Sequence, residues 1–324
     1  MKQIILTLVM VATFLSCQKT STQYNLTIDT LVVYGDDKEN IFGLINDFQY
    51  RNNKVYILDI LQKKIFIFNL HGKIIKQIQL RTGKGPGDFT MGLFAFDLVN
   101  DTTLAVLDNM LRRVQLISTN YDYISGFNVN FMPNNLFYRD SLFYISGNND
   151  NNLMYVYRLN GEKVDSLGKP FLLKGQPQPW FSNVAMGSEN EIYYTNPYST
   201  EIVRYDNSKL TWRFFDEKLD LVSTPAMRKN GNKISLMNPM KGWSSICLYN
   251  NFVIATTYNY KSNEEGEILP QILLLEKNNG QLLFQKEVEE PIVIKSFDNG
   301  QHVFITSNSP YPHLKKVSLK INRE

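Results

Sequence analysis

Asp47, Asp97 and Asn135 lie eleven or twelve residues before the ends of three short apolar runs, Lys54 to Asp59, Thr103 to Asp108 and Ser141 to Ser146. Carboxylate and amide oxygens at matching places in repeated units could ring one end of an internal channel and hold a hard cation such as calcium. The later units put Ala185, Ser245 and Lys295 near that place, so the set is not continued. Polar side chains facing a water-filled interior are also common without any metal. Zinc chemistry is poorly served, because the three histidines, His71, His302 and His313, are scattered along the chain and do not converge on one site. The segment Gly83 to Phe89, GKGPGDF, has neither the GxxxxGK[ST] spacing nor the strand-to-helix setting of a phosphate loop. It reads as a connector in which Gly83, Gly85 and Gly87 permit turns, Pro86 stiffens them and Phe89 anchors the exit. No Ser-His-Asp set stands at an interpretable spacing. A catalytic residue is therefore not assigned.

The N-terminus carries a different kind of chemistry. Lys2 is followed by an uncharged run from Ile4 to Leu15, too short to span a bilayer but suited to a secretory signal, and then by Ser16-Cys17 and the polar Gln18 to Thr22. A small residue before a cysteine at the end of such a run resembles a bacterial lipobox, which implies cleavage after residue 16 and lipidation of Cys17. Residues 17–23 then form a tether and residues 24–324 the folded part. Cys247, the second of two cysteines, sits in the apolar stretch Ile246 to Tyr249 and reads as a small buried hydrophobe rather than a reactive thiol. With a net charge of +3 and no basic block, the chain lacks the stripe of lysines and arginines that binding to nucleic acid requires.

The elements that position these residues repeat about every fifty residues. Six runs, KVYILD, TLAVLD, SLFYIS, EIYYTN, NFVIAT and QHVFIT, are rich in Val, Ile, Tyr, Phe and Thr and end on a small polar or acidic residue. Each is a strand. Each is followed by another, from KIFIFN to KKVSLK, then in most copies by a turn such as His71-Gly72 or Asn160-Gly161 and by a more polar strand. One more strand precedes every run, as in LINDFQY and LFAFDLV. Four antiparallel strands taken six times predict an all-β, six-bladed propeller. The last copy ends after three strands, while Tyr24 to Val33 precedes the first copy without a partner. The N-terminal strand is therefore expected to close the last blade and leave no open seam.

Arg81 to Ser118 is similar to an NHL-type repeat: a glycine-rich segment ending in Phe89, two strands, and Asn109 and Arg112 before Arg113-Val114-Gln115. Together with the lipobox, it resembles the NHL/TolB-like six-bladed propeller lipoproteins of Gram-negative bacteria. That resemblance implies fold and export and carries no activity with it.

Connections between blades, and those joining second to third strands, open on one side of a propeller. The long segments Gly168 to Phe181, Glu217 to Trp243 and Thr257 to Leu269 fall there and carry Trp180, Tyr198, Trp243, Tyr258, Tyr260 and Tyr311, with Arg81 and Lys84 nearby. Long aromatic loops on a rigid scaffold suit binding of a protein, peptide or glycan. The expected function is thus that of a membrane-tethered binding protein without a cofactor. It is held to the outer membrane, on the periplasmic side, by its lipid alone. A channel-centred, calcium-dependent hydrolase or lactonase and a structural subunit of an envelope complex are the alternatives, and surface display is the alternative orientation.

Overall fold

The computed structural model describes residues 24–35, 41–148, 152–169, 183–187, 190–195, 201–215, 227–230, 233–236, 243–257, 260–262, 266–309 and 311–323. Six four-stranded antiparallel sheets account for most of them. The first blade runs from the channel outwards as Ile45–Arg51, Lys54–Asp59, Lys64–Asn69 and Ile74–Gln79. The second repeats this order with Leu93–Asn100, Thr103–Asp108, Arg113–Ser118 and Tyr123–Asn128. The remaining blades follow from Met132–Arg139, Asn183–Met186, Trp243–Tyr249 and Ile294–Phe297 as their inner strands.

Alternation along each strand explains why the six runs are apolar throughout. In Lys54–Asp59, Tyr56 and Leu58 pack towards the second blade with Leu93, Phe96 and Leu98, whereas Val55 and Ile57 pack towards the sixth with Phe304 and Leu314. The same division recurs at every junction, so each described core cluster joins two neighbouring blades. A strand covered on both faces has no polar side to show. The outermost strands are covered on one face only; Tyr123–Asn128 is almost wholly exposed. At the channel end of four inner strands the pairing slips by one residue, between Ile45 and Asp47, Leu93 and Ala95, Pro133 and Asn135, and Trp243 and Ser245. These bulges bend the strand ends where they crowd around the axis.

The ring closes as the sequence predicts. Tyr24–Tyr34 pairs antiparallel with His313–Arg323, from Tyr24 opposite Arg323 to Tyr34 opposite Leu314, and completes the sixth blade. Tyr34 is fully buried between Phe68 of the first blade and Phe304 of the sixth, with ring centroids at 5.5 Å and 6.2 Å. His313 opens the strand that receives this partner and is itself buried.

Turn chemistry differs between the two ends of the ring. The hairpins joining first to second strands put Asn52, Asn53, Asp140, Ser141 and Asn250 in the left-handed region that two-residue turns demand, and Asn and Asp tolerate it best. At the other end stand the connections between blades and those from second to third strands. Two of the segments expected there as loops carry their own two-stranded ribbons, Met227–Asn230 with Lys233–Leu236 and Tyr260–Ser262 with Gly266–Ile268.

Candidate functional site

The acids at the channel are engaged in holding blades together. Asp47 is buried; one carboxylate oxygen accepts from the Phe48 N–H at 2.8 Å and the other from the Phe96 N–H of the second blade at 2.9 Å. Lys295 of the sixth blade forms an ion pair with the same carboxylate, lies 5.1 Å above the Phe48 ring and donates to the Phe48 carbonyl. Asp97 repeats the device one blade on, accepting from Leu98 N–H at 2.7 Å and from Tyr138 N–H of the third blade at 2.7 Å. Ser245 continues it between the fifth and sixth blades, where its hydroxyl accepts from Ile294 N–H at 2.9 Å. Oxygens that accept backbone hydrogen bonds across a blade junction stabilise the ring, and at Asp47 a cation would also compete with the Lys295 ammonium.

The three oxygen-bearing residues also do not form one layer. Asp47 pairs with Leu58, next to Asp59; the residue that pairs with Leu107, next to Asp108, is Ala95, whereas Asp97 pairs with Ala105. Asn135 shares the Asp47 layer and donates to Ser146 at 2.8 Å. Asp97 sits one pleat further along the channel. Asp47, Asp97 and Asn135 therefore do not stand as one ring, and the described residues hold no group of three or more His, Cys, Asp or Glu placed to hold a metal ion.

Asp97 is half-buried in the channel wall, and that burial pushes its carboxyl up to about 6. The hydrogen bonds from Tyr138 and Leu98 work against the rise, the Asp47 charge adds to it and Lys295 opposes it. Between pH 4 and 6 the folded chain retains a proton that the unfolded chain releases, so this group favours the fold at pH 4 and that contribution is lost as pH rises through 6. Wild type minus Asp97→Asn melting temperature is therefore expected to be largest near pH 4 and to fall by pH 7. A difference that stays flat across a series of thermal melts would disprove the assignment.

The acidic ends of the first two runs have a role that the sequence does not announce. Asp59 is fully buried and accepts from the N–H groups of Gly43, Leu44 and Gln62; Asp108, equally buried, accepts from Thr90 N–H, the Thr90 hydroxyl and Leu111 N–H. Each therefore ties the connection entering its blade to the turn leaving it. Recurrence of an acid at the run end was the available signal.

GKGPGDF is the connector it was read to be. Phe89 is fully buried; Arg113 donates to the carbonyls of Lys84, Gly85 and Asp88, Gln115 binds Gly87 N–H and the Asp88 carbonyl, and the Tyr121 hydroxyl donates to the Gly87 carbonyl at 2.6 Å. Gly87 has φ +76, which favours glycine, and a Cβ on Gly83 would stand 2.5 Å from the Asp88 carboxylate, which would have to shift. Arg81 is exposed but committed to Asp88 at 3.4 Å and to the face of the Tyr121 ring; Lys84 is exposed beside it.

The aromatic face is only partly as expected. Trp243 is corrected: it is the first residue of an inner strand, pairs with Thr257 and is 1% exposed, packed with Ala185, Tyr193 and Leu273. Tyr311 is half-buried against His313 at 6.0 Å. Tyr260 lies in a ribbon strand. Trp180, Tyr198 and Tyr258, like Cys17 and the tether, fall outside the described residues. Cys247 is buried, and loss of water around it pushes its thiol up to about 12, which leaves it inert.

A family model described as a 6-bladed beta-propeller, DUF5128, matches residues 36–235, more than half of the chain. Among solved structures, a member of the duf4221 family from Bacteroides vulgatus is similar at 12% identity with a TM-score of 0.65, covering 94% of this chain and 100% of its own. The RRP9 WD40 repeats are similar at 9% identity and 0.56, covering 91% and 100%, and U3-55K at 11% and 0.55, covering 89% and 98%. At these identities the likeness concerns the fold alone. No curated protein matches the sequence.

Proposed function

The chain belongs to the DUF5128 family of six-bladed β-propellers, and on that premise we propose that it is a binding protein. In this reading it is exported, tethered to the outer membrane on its periplasmic side by lipid on Cys17, and engages a protein, peptide or glycan through its long-loop face. Kinship with the NHL/TolB-like lipoproteins belongs to the same proposal.

The supporting observation is the asymmetry of the ring. One end is closed by short hairpins, mostly with polar tips, whereas the strands that border residues 168–182, 215–242 and 258–270, the long connections of the chain, meet them at the other. A rigid scaffold with variable loops at one end is built to present a surface. The channel alternative loses support because Asp47 and Asp97 are taken up by the Phe96 and Tyr138 N–H groups.

The test is recovery of the intact lipoprotein from its own envelope, compared with a chain in which residues 168–182 are replaced by a short Gly-Ser linker. A partner present in near-stoichiometric amount with the first and lost with the second is the expected result. Equal recovery from both, or no partner with either, contradicts the proposal.

A further inference from the structure

Two turns on the long-loop face carry exposed apolar residues at their tips. At the opposite end the tips include Asn52-Asn53, Asp140-Ser141 and Asn250-Asn251 between first and second strands, and His71-Gly72, Asn160-Gly161 (next to the half-exposed Leu159) and Asn207-Ser208 between third and fourth. In the connections Asp59 to Lys64 and Asp108 to Arg113, by contrast, Leu61 and Met110 hold the tips, 59% and 64% exposed. Backbone geometry does not demand them. The turns are fixed by Asp59 and Asp108 and by Lys63 and Arg112 in the left-handed region, and a polar residue at either tip would meet the same requirement.

The two tips belong to one rim. Met91, 51% exposed, lies in the connection entering the second blade beside Gly92, where a Cβ would meet Met110 Cγ at 2.5 Å. Gly43 stands in the same relation to Leu61 in the first blade, at 2.9 Å. Between them, Asn46 of the first blade donates to the Phe94 carbonyl of the second, and Ile60 packs on the cluster that contains Leu93. Lys63 and Arg112 follow the apolar tips and flank them with positive charge.

We propose that Leu61, Met91 and Met110, with Lys63 and Arg112, form a docking surface for a protein segment whose apolar residues are flanked by carboxylates. The inference rests on the reading that the long-loop face binds protein and names the part of that face which does so. Unbranched Met side chains adapt to the shape of an apolar partner, and the two cations select acidic flanks. An anionic lipid surface offers similar chemistry, but the chain's geometry opposes it. Tyr24 packs on Phe252, the first residue of a second strand, whereas the rim lies where second strands end. Under the proposed lipidation of Cys17 the chain would be anchored ahead of Tyr24, which stands at the hairpin end, opposite the rim.

The probe is a displayed library of random peptides roughly 15 residues long, selected on the full-length chain. Expected are sequences with adjacent apolar residues between Asp or Glu. Their binding should weaken at least about tenfold in Leu61→Asp/Met110→Asp and lose most of its salt dependence in Lys63→Glu/Arg112→Glu. Melting temperatures should change little, because Leu61, Met110 and Arg112 are exposed and the half-buried Lys63 gives up only its bond to the Thr82 hydroxyl at the surface. Peptides that survive these substitutions but are lost when residues 168–182 are replaced would overturn the rim and leave the binding face standing; a library without binders would overturn both. Selected sequences lacking carboxylates, or Met110-dependent sedimentation of the Cys17→Ser chain with phosphatidylethanolamine–phosphatidylglycerol vesicles, would also overturn the proposal.

Discussion

Arg204→Met is expected to lower the stability of the folded chain by about 3–5 kcal/mol, the penalty for leaving buried charge without its partner. Arg204 is 9% exposed and stands at the junction of the fourth and fifth blades. Its guanidinium binds Asp206 through two bonds of 2.8 and 2.9 Å, Glu191 at 3.0 Å and the Lys277 carbonyl of the fifth blade at 2.9 Å. The Lys277 ammonium returns to Glu191 at 2.8 Å, and Trp212 donates its indole N–H to the same Lys277 carbonyl. Removing Arg204 leaves Glu191 with Lys277 alone and Asp206 with no cation among these contacts. Urea unfolding measures the loss. Neutralising the acid that loses its cation as well, in Arg204→Met/Asp206→Asn, should restore part of it, because Glu191 keeps Lys277 while Asp206 is left without a cation among these contacts. A double variant no more stable than the single one would contradict this account of the latch.

Tyr34→Ala is expected to be comparably severe, at about 3–5 kcal/mol, the range for a buried aromatic truncated in a core. That corresponds to a melting temperature lower by about 10 °C for a domain of this size. Tyr34 ends the closing strand, buries its ring between the sixth and first blades and directs its hydroxyl to the Leu70 carbonyl at 3.4 Å. A cavity there opens the one junction that chain connectivity does not hold continuously. The exposed Leu31 of the same strand provides the control: Leu31→Ala should stay within about 0.5 kcal/mol of wild type. Equal effects of the two substitutions in thermal melts would show that the strand is not docked as described.

Much of the ring was legible in the sequence because two-sided burial writes itself into composition. The run KVYILD and its five counterparts are apolar at consecutive positions, which a strand with one wet face would not be. The closing strand followed from counting, since Tyr24 to Val33 and a three-stranded last copy each lacked what the other supplied. Layer position within the channel was not legible. Asp97 stands eleven residues before Asp108 where Asp47 stands twelve before Asp59, and a second slip in pairing, between Leu98 and Asn100, adds one more residue before the hairpin, so the place level with Asp47 falls to Ala95. A one-residue bulge shifts the phase of an alternating pattern, but an inner strand covered on both faces has no clean alternation in which the shift would show. Trp243 was misread for a related reason: it borders a long loop in sequence, yet it stands just before the bulge at Ser245, where inner strands begin. Asp59 and Asp108 were visible as a recurrence, but their roles depend on Gly43, Leu44 and Thr90, which reach them only in the fold.

The six-bladed account depends on ring closure, because Tyr24–Tyr34 supplies the fourth strand of the last blade. Thr27 and Lys320 lie directly opposite each other in that sheet, are both exposed and come from the two ends of the chain. Facing residues of neighbouring antiparallel strands are within disulfide reach. Mild oxidation of a Thr27→Cys/Lys320→Cys chain, followed by mass analysis of linked peptides, should give an intramolecular bridge in high yield, with a raised melting temperature that reverts on reduction. Thiols that remain free, or bridges that form only between molecules, would mean that the first strand does not fasten the last blade.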